Sequence, residues 1–153
     1  MFFLRSRLAH FAVILTLAAM LANSSCSRAS GPAFSAANAS ETRESGIYLY
    51  RRGAIAAYGQ QFTVLMDGRP AGHLANASYL RLPLTAGSHL LQISPGGAAR
   101  ASTVQIQVAA GAPAFYEFVF PTGWAMRPSF DGAAIEARAE AQAMTGLRGL
   151  RQM

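Results

Sequence analysis

The chain has 153 residues, 52% of them apolar, a single cysteine, and a formal net charge of +6 from 13 basic and seven acidic residues. That length suits one domain with a real core and leaves no comfortable room for a second. One cysteine excludes an intramolecular disulfide. The basic residues, all arginine, are scattered up to Arg151 without a stripe, which excludes the clustered footprint of nucleic-acid binding.

The N-terminus reads as an export signal. Arg5 and Arg7 give a positive start, residues 11–22 are apolar except for Thr16, and Asn23-Ser24-Ser25-Cys26 follows. A charged segment, a short apolar run and small residues before a cleavage point make a secretory signal peptide over residues 1–25. The run is too short for a membrane span, which needs about 20 apolar residues. The lone cysteine at this junction predicts a bacterial lipoprotein, cleaved so that Cys26 takes the lipid and becomes the new N-terminus. Asn23 stands where a lipobox has an aliphatic residue, while Ser24 and Ser25 fit. The alternative is ordinary cleavage after Ala22-Asn23-Ser24, which would leave a free thiol in an oxidising compartment. Loss of Arg5 and Arg7 with the signal lowers the formal charge from +6 to +4.

Residues 27–45 are rich in Ser, Ala and Gly and read as a flexible tether behind the lipidated cysteine, about 25 Å root-mean-square in reach. The domain is expected over residues 46–153. Residues 47–50 form a β-rich run ended by Arg51-Arg52-Gly53. Residues 62–66 form a second strand, and Asp67-Gly68 supplies a tight hairpin turn, since both turn residues tolerate positive φ. Residues 69–74 return, with Pro70 marking an edge or irregular start. After the turn Asn76-Ala77-Ser78, residues 79–84 alternate, with Leu80, Leu82 and Leu84 on one face and Tyr79, Arg81 and Pro83 on the other. Residues 88–94 continue beyond Thr85-Ala86-Gly87. In residues 103–108, Val104, Ile106 and Val108 point inward. In the next strand Tyr116, Phe118 and Phe120 oppose Phe115, Glu117 and Val119, a pattern of cover on both sides. A last strand is expected over residues 129–135. An Ala-rich helix is expected over 136–150, with Ala137, Ala141, Met144 and Leu147 at helical spacing and Gly146 and Gly149 weakening it. Short strands punctuated by turns predict a mainly β fold, a small antiparallel β-sandwich with a short C-terminal helix.

Four stretches carry a family likeness: Ile47-Tyr48-Leu49-Tyr50-Arg51, Val64-Leu65-Met66-Asp67-Gly68, His73-Leu74-Ala75-Asn76-Ala77-Ser78-Tyr79, and Leu84-Thr85-Ala86-Gly87-Ser88-His89. In their order and turns they resemble the bacterial domain of unknown function 2846, over about residues 46–151. The resemblance implies an immunoglobulin- or transthyretin-like sandwich in a small exported protein, often a lipoprotein. It implies no catalytic residues.

Chemistry-bearing residues are sparse. His10 leaves with the signal, and His73 and His89 could share a ligand with Asp67 only if their hairpins adjoin; a metal site needs several such ligands converging. No metal or cofactor is expected. Glu117 and Asp131 are the carboxylates available for a glycosidase-like pair. Glu136 and Glu140 suit a helix N-terminus, where negative charge is favoured. Motifs for a nucleophile elbow or a phosphate loop are absent from the sequence. Asn-Ala-Ser at Asn38 and at Asn76 matches an N-glycosylation pattern that a bacterial chain would not use. Amphipathic rings are plentiful, and most belong to core packing. The segment 123–127 holds Trp124, Met126 and Arg127 together, three residue types enriched at interfaces, and is the candidate contact surface. These readings lead to a non-catalytic binding or structural accessory module, held in the outer membrane through Cys26, facing the periplasm and meeting an envelope protein or glycan. The alternative is an envelope hydrolase or glycan-binding enzyme.

Overall fold

Alternation along the chain sorts its apolar residues to two sides, and the computed structural model, which describes residues 29–41, 44–55, 57–96, 100–120 and 133–153, places both sides against something. Among the described residues nine strands form two sheets: β1 (Gly46–Arg51), β2 (Phe62–Met66), β3 (Arg69–Leu74), β4 (Ser78–Pro83), β5 (Gly87–Ser94), β6 (Ser102–Val108), β7 (Pro113–Val119), β8 (Ala134–Arg138) and β9 (Arg151–Gln152). Helix α1 (Ala36–Glu41) precedes β1, and α2 (Glu140–Leu147) lies between β8 and β9. The first sheet runs β8-β7-β1-β4-β9 and the second β3-β2-β5-β6. The protein is therefore mainly β, a small sandwich with a short C-terminal helix.

Between the sheets lies a core of Ile47, Leu49, Phe62, Val64, Leu74, Leu80, Leu82, Leu91, Ile93, Ile106 and Phe118, with Tyr116 beside them. Each such side chain, fully buried, contributes about 1.5–3 kcal/mol. The other face of the first sheet is also covered. Tyr48, Tyr50, Tyr79 and Phe115 pack there with Ala39 and with Ala143, Leu147 and Leu150 of the α2 region. Strand β1, between β7 and β4, is buried along its whole length. β7 is buried from Phe115 to Phe118, the two-sided cover its aromatic pattern predicts.

The Asp67-Gly68 hairpin is as predicted: Met66 pairs with Arg69, and the turn residues have φ of +53° and +75°. Pro70 lies on β3, an edge strand. Three details go beyond or against the expectations. First, the sheets are mostly antiparallel, as expected, with two parallel pairings added: β1 with β7, and β9 with β4. Hairpin signals report only strands adjacent in sequence, whereas these pairs form after the chain has crossed to the other sheet and back. Second, residues 136–138 belong to β8, not to a helix. The register pairing Phe115 with Arg138 and Glu117 with Glu136 holds them extended, so only Glu140 stands in the first turn of α2. Third, the stretch 27–45 is not a free tether where it is described. Gly31 N–H donates to the Gln152 carbonyl, Phe34 N–H to that of Leu150, and the Phe34 ring packs edge-on to Tyr48 and Tyr79 at 5.9 and 5.6 Å. One phenylalanine in a Ser/Ala/Gly segment finds two half-covered tyrosines, and that contact outweighs the flexibility its composition implies. Cys26 and residues 1–25, where the export signal is expected, lie outside the described residues, as do Trp124, Met126 and Arg127.

Candidate functional site

The end of β1 sends consecutive residues to opposite sides. Arg51 turns into the sandwich, whereas Tyr50 and Arg52 reach the outer face. The register sets Glu117 of β7 beside Tyr50 and Glu136 of β8 beside Glu117. Helix α2 passes over this row. Gly146 permits the approach: a Cβ there would stand 2.7 Å from the ring of Tyr50. Sheet and helix leave a cleft of about 260 Å³, lined by Tyr50, Arg52, Glu117, Arg138, Gln142, Thr145 and Gly146.

Glu117 is the chemical centre of the cleft. It is only 4% exposed, and both carboxylate oxygens are engaged. Arg52 Nε donates to Oε1, Arg138 Nε donates to Oε2 at 2.8 Å, and the Tyr50 hydroxyl lies 3.4 Å from Oε2. Arg138 also spans to Glu136, with Nη2 at 2.5 Å from Oε2. Burial works against the ionised form of Glu117, but hydrogen bonds and charge from Arg138 and Arg52 outweigh it and hold the carboxyl below the ordinary carboxylate range. Burial, then the negative charge of Glu117, pushes the Tyr50 phenol up. An isolated carboxylate at this depth would be strongly unfavourable, so the two arginines are a condition of its presence. A group held ionised with both oxygens occupied is suited to fixing geometry and recognising polar partners. A glycosidase acid needs the opposite, a carboxyl whose pKa is raised.

On the inner side Arg51, 1% exposed, lies between Phe62 and Phe120 with its Cζ 5.2 and 5.1 Å from the ring centroids. Its Nη2 donates to the Ala57 carbonyl at 2.8 Å and its Nη1 to that of Gln60 at 3.3 Å. Burial lowers its pKa to about 10, which keeps it charged at neutral pH. It thereby ties the β1–β2 connection to the core.

A second polar cluster stands at the far end of the molecule. Asp67 Oδ2 lies 2.7 Å from His89 Nδ1, Asp67 Oδ1 accepts the Leu90 N–H at 2.8 Å, and His89 Nε2 lies 3.0 Å from the Thr85 carbonyl. The hydrogen bond to Asp67, then that to Thr85, raises the pKa of His89, and Asp67 is lowered in turn. The hairpins of Asp67 and His89 do adjoin. His73 sits exposed on β3 opposite Thr63 and has no part in the cluster. Among the described residues no three His, Cys, Asp or Glu side chains come together as a metal site would require.

Of the pair Glu117 and Asp131, Glu117 is in the cleft and Asp131 lies outside the described residues. The roles of Arg51, Arg52 and Arg138 were not legible as such. The available signal was Glu117 itself, one carboxylate in an aromatic strand covered on both faces, which demands cationic partners. No protein-family model, curated protein or solved structure matches this chain.

Proposed function

We propose that this is a lipid-anchored envelope protein acting as a non-catalytic binding or structural accessory module. One observation carries the non-catalytic part: the central carboxylate of the cleft is neutralised by two arginines and held ionised, the reverse of a poised general acid. The cleft suits a small polar group. Arg52, 63% exposed at its side chain, uses Nε on Glu117 and lines the cleft with Gln142 and Thr145. A glycan hydroxyl or a short polar segment of an envelope protein offers the matching acceptors. The anchor part is supported by the position of Cys26 after residues 11–22, and the domain's described residues contain no helix long and apolar enough to cross a membrane.

The test pairs turnover with binding. Purified protein is incubated with peptidoglycan fragments and chromogenic glycosides, and the same fragments are titrated against it by calorimetry. The proposal expects no turnover, with any binding weakened by Gln142→Ala. Hydrolysis by the wild type that is abolished in Glu117→Gln would establish the alternative, an envelope glycan hydrolase.

A further inference from the structure

The β1–β2 connection is held at four points, yet it turns its two largest apolar side chains outward. Arg51 grips the Ala57 and Gln60 carbonyls, Gln60 Nε2 donates to the Pro95 carbonyl at 2.8 Å, and Ala54 N–H donates to Asn76 Oδ1 at 3.0 Å. Tyr58 N–H closes a turn on the Ile55 carbonyl at 3.2 Å, and Ala57 packs against the core. A connection specified this closely could bury Ile55 and Tyr58. Instead Ile55 is 96% exposed and Tyr58 61% exposed, two of the three large apolar side chains exposed among the described residues.

Among the described residues, exposed arginines stand at this tip. Arg52 leads into the connection, and Arg100 is exposed just before β6, which starts at the same end because Ser102 pairs with Ile93 and Ser94 with Thr63. The carboxylates nearest this end among the described residues, Glu117 and Glu136, are paired with Arg52 and Arg138. Glu44, just before β1, and Asp67, in the β2–β3 turn, stand at the opposite end. Two apolar side chains at a tip fall far short of the roughly 800 Å² per partner that a stable protein interface buries. They are enough to enter the headgroup layer of a bilayer, where an aliphatic residue, a tyrosine and flanking arginines are each favoured.

We infer that the turn carrying Ile55 and Tyr58 is a membrane-docking tip, inserted into an anionic bilayer surface and flanked by Arg52 and Arg100. This rests on the envelope reading above and adds an orientation to it. A domain held by one N-terminal anchor would gain a second, weak contact and a fixed face toward the lipid.

The test uses the full chain carrying Cys26→Ser and Ile55→Cys, so that position 55 holds the sole thiol and lipidation plays no part. The thiol is labelled with an environment-sensitive nitrobenzoxadiazole dye, and the chain is mixed with vesicles of phosphatidylcholine, with and without phosphatidylglycerol. A second labelled chain carries Cys26→Ser and Gln105→Cys, on the exposed face of β6. The expected result is a blue shift at position 55 with phosphatidylglycerol vesicles, reversed by high salt, and no shift at position 105. Adding Tyr58→Ser should weaken the vesicle dependence about tenfold. No shift at 55, an equal shift at both positions, or a shift indifferent to phosphatidylglycerol would overturn the proposal. So would a shift that follows protein concentration without lipid, which would indicate a second copy of the chain. Failure of the anchor reading is scored separately, by whether Cys26→Ser releases the otherwise unaltered protein from cell membranes.

Discussion

At the scale of single residues, the stability of this fold depends on how ionisable groups are placed, and two of them make it depend on pH in opposite directions. The carboxyl of Glu117 titrates lower in the folded protein than in the unfolded chain. Its contribution is therefore fully present above the ordinary glutamate range and is lost as pH falls through the lowered folded value. Urea midpoints of the wild type should fall as the pH drops below the ordinary glutamate range. Glu117→Gln should be less stable at pH 7 by about 1–3 kcal/mol, because Arg138 and Arg52 lose their acceptor, and should show a flatter acid limb. An acid limb as steep as that of the wild type would refute the role given to Glu117. His89 has the opposite sign. Its folded pKa is raised, so its contribution is whole below about pH 6.5 and disappears as pH rises through the folded value. Asp67, lowered by the same contact, loses its contribution only in acid. The charged pair is thus complete between the lowered Asp67 and the raised His89. NMR titration of the His89 ring should give a midpoint above the ordinary histidine value, and Asp67→Asn should move it back toward that value.

At the scale of elements, Gly146 shows how packing overrides propensity. A glycine inside a helix costs about 1 kcal/mol relative to alanine, so Gly146→Ala on a solvent face would stabilise the protein. Here a Cβ would stand 2.7 Å from a Tyr50 ring atom and 2.9 Å from its hydroxyl. Gly146→Ala should instead destabilise the domain by about 1–3 kcal/mol, as overpacking does, and change the fluorescence of a probe in the cleft. A raised melting temperature would mean that α2 does not lie on Tyr50. The same contrast explains what could be read beforehand. β2, β3 and their turn were legible to the residue, because period-two alternation and the demand for positive φ at Asp67 and Gly68 are local. Residues 136–138 were misassigned for the converse reason: their helical spacing is local, while the pairing with Phe115 and Glu117 that keeps them extended is not. The packing of Phe34 on Tyr48 and Tyr79 was invisible in the same way. In the cleft, Glu117 could be noticed but its arginines could not, since Arg52 and Arg138 reach it from 65 and 21 residues away.

At the scale of the whole molecule, the two-sided cover of the first sheet divides the surface into distinct ends and faces. The outer face carries α2 and the polar cleft, one end presents Ile55 and Tyr58, and the opposite end carries the His89–Asp67 cluster. Such a body needs no deep apolar cavity to serve as a module held at a surface, and its N-terminal segment packs back on the domain from Gly31 onward. That leaves a short link between Cys26 and the fold, which would keep the domain close to the membrane. The anchor at Cys26 is the central claim, and the most direct measurement is the mass of the mature N-terminus, taken from bacterial membranes expressing the full chain. A chain that starts at Cys26 and carries acyl groups, together with loss of processing in Cys26→Ser, is the predicted result. A mature chain that starts at Ser25 with an unmodified thiol, recovered in the soluble fraction, would contradict it.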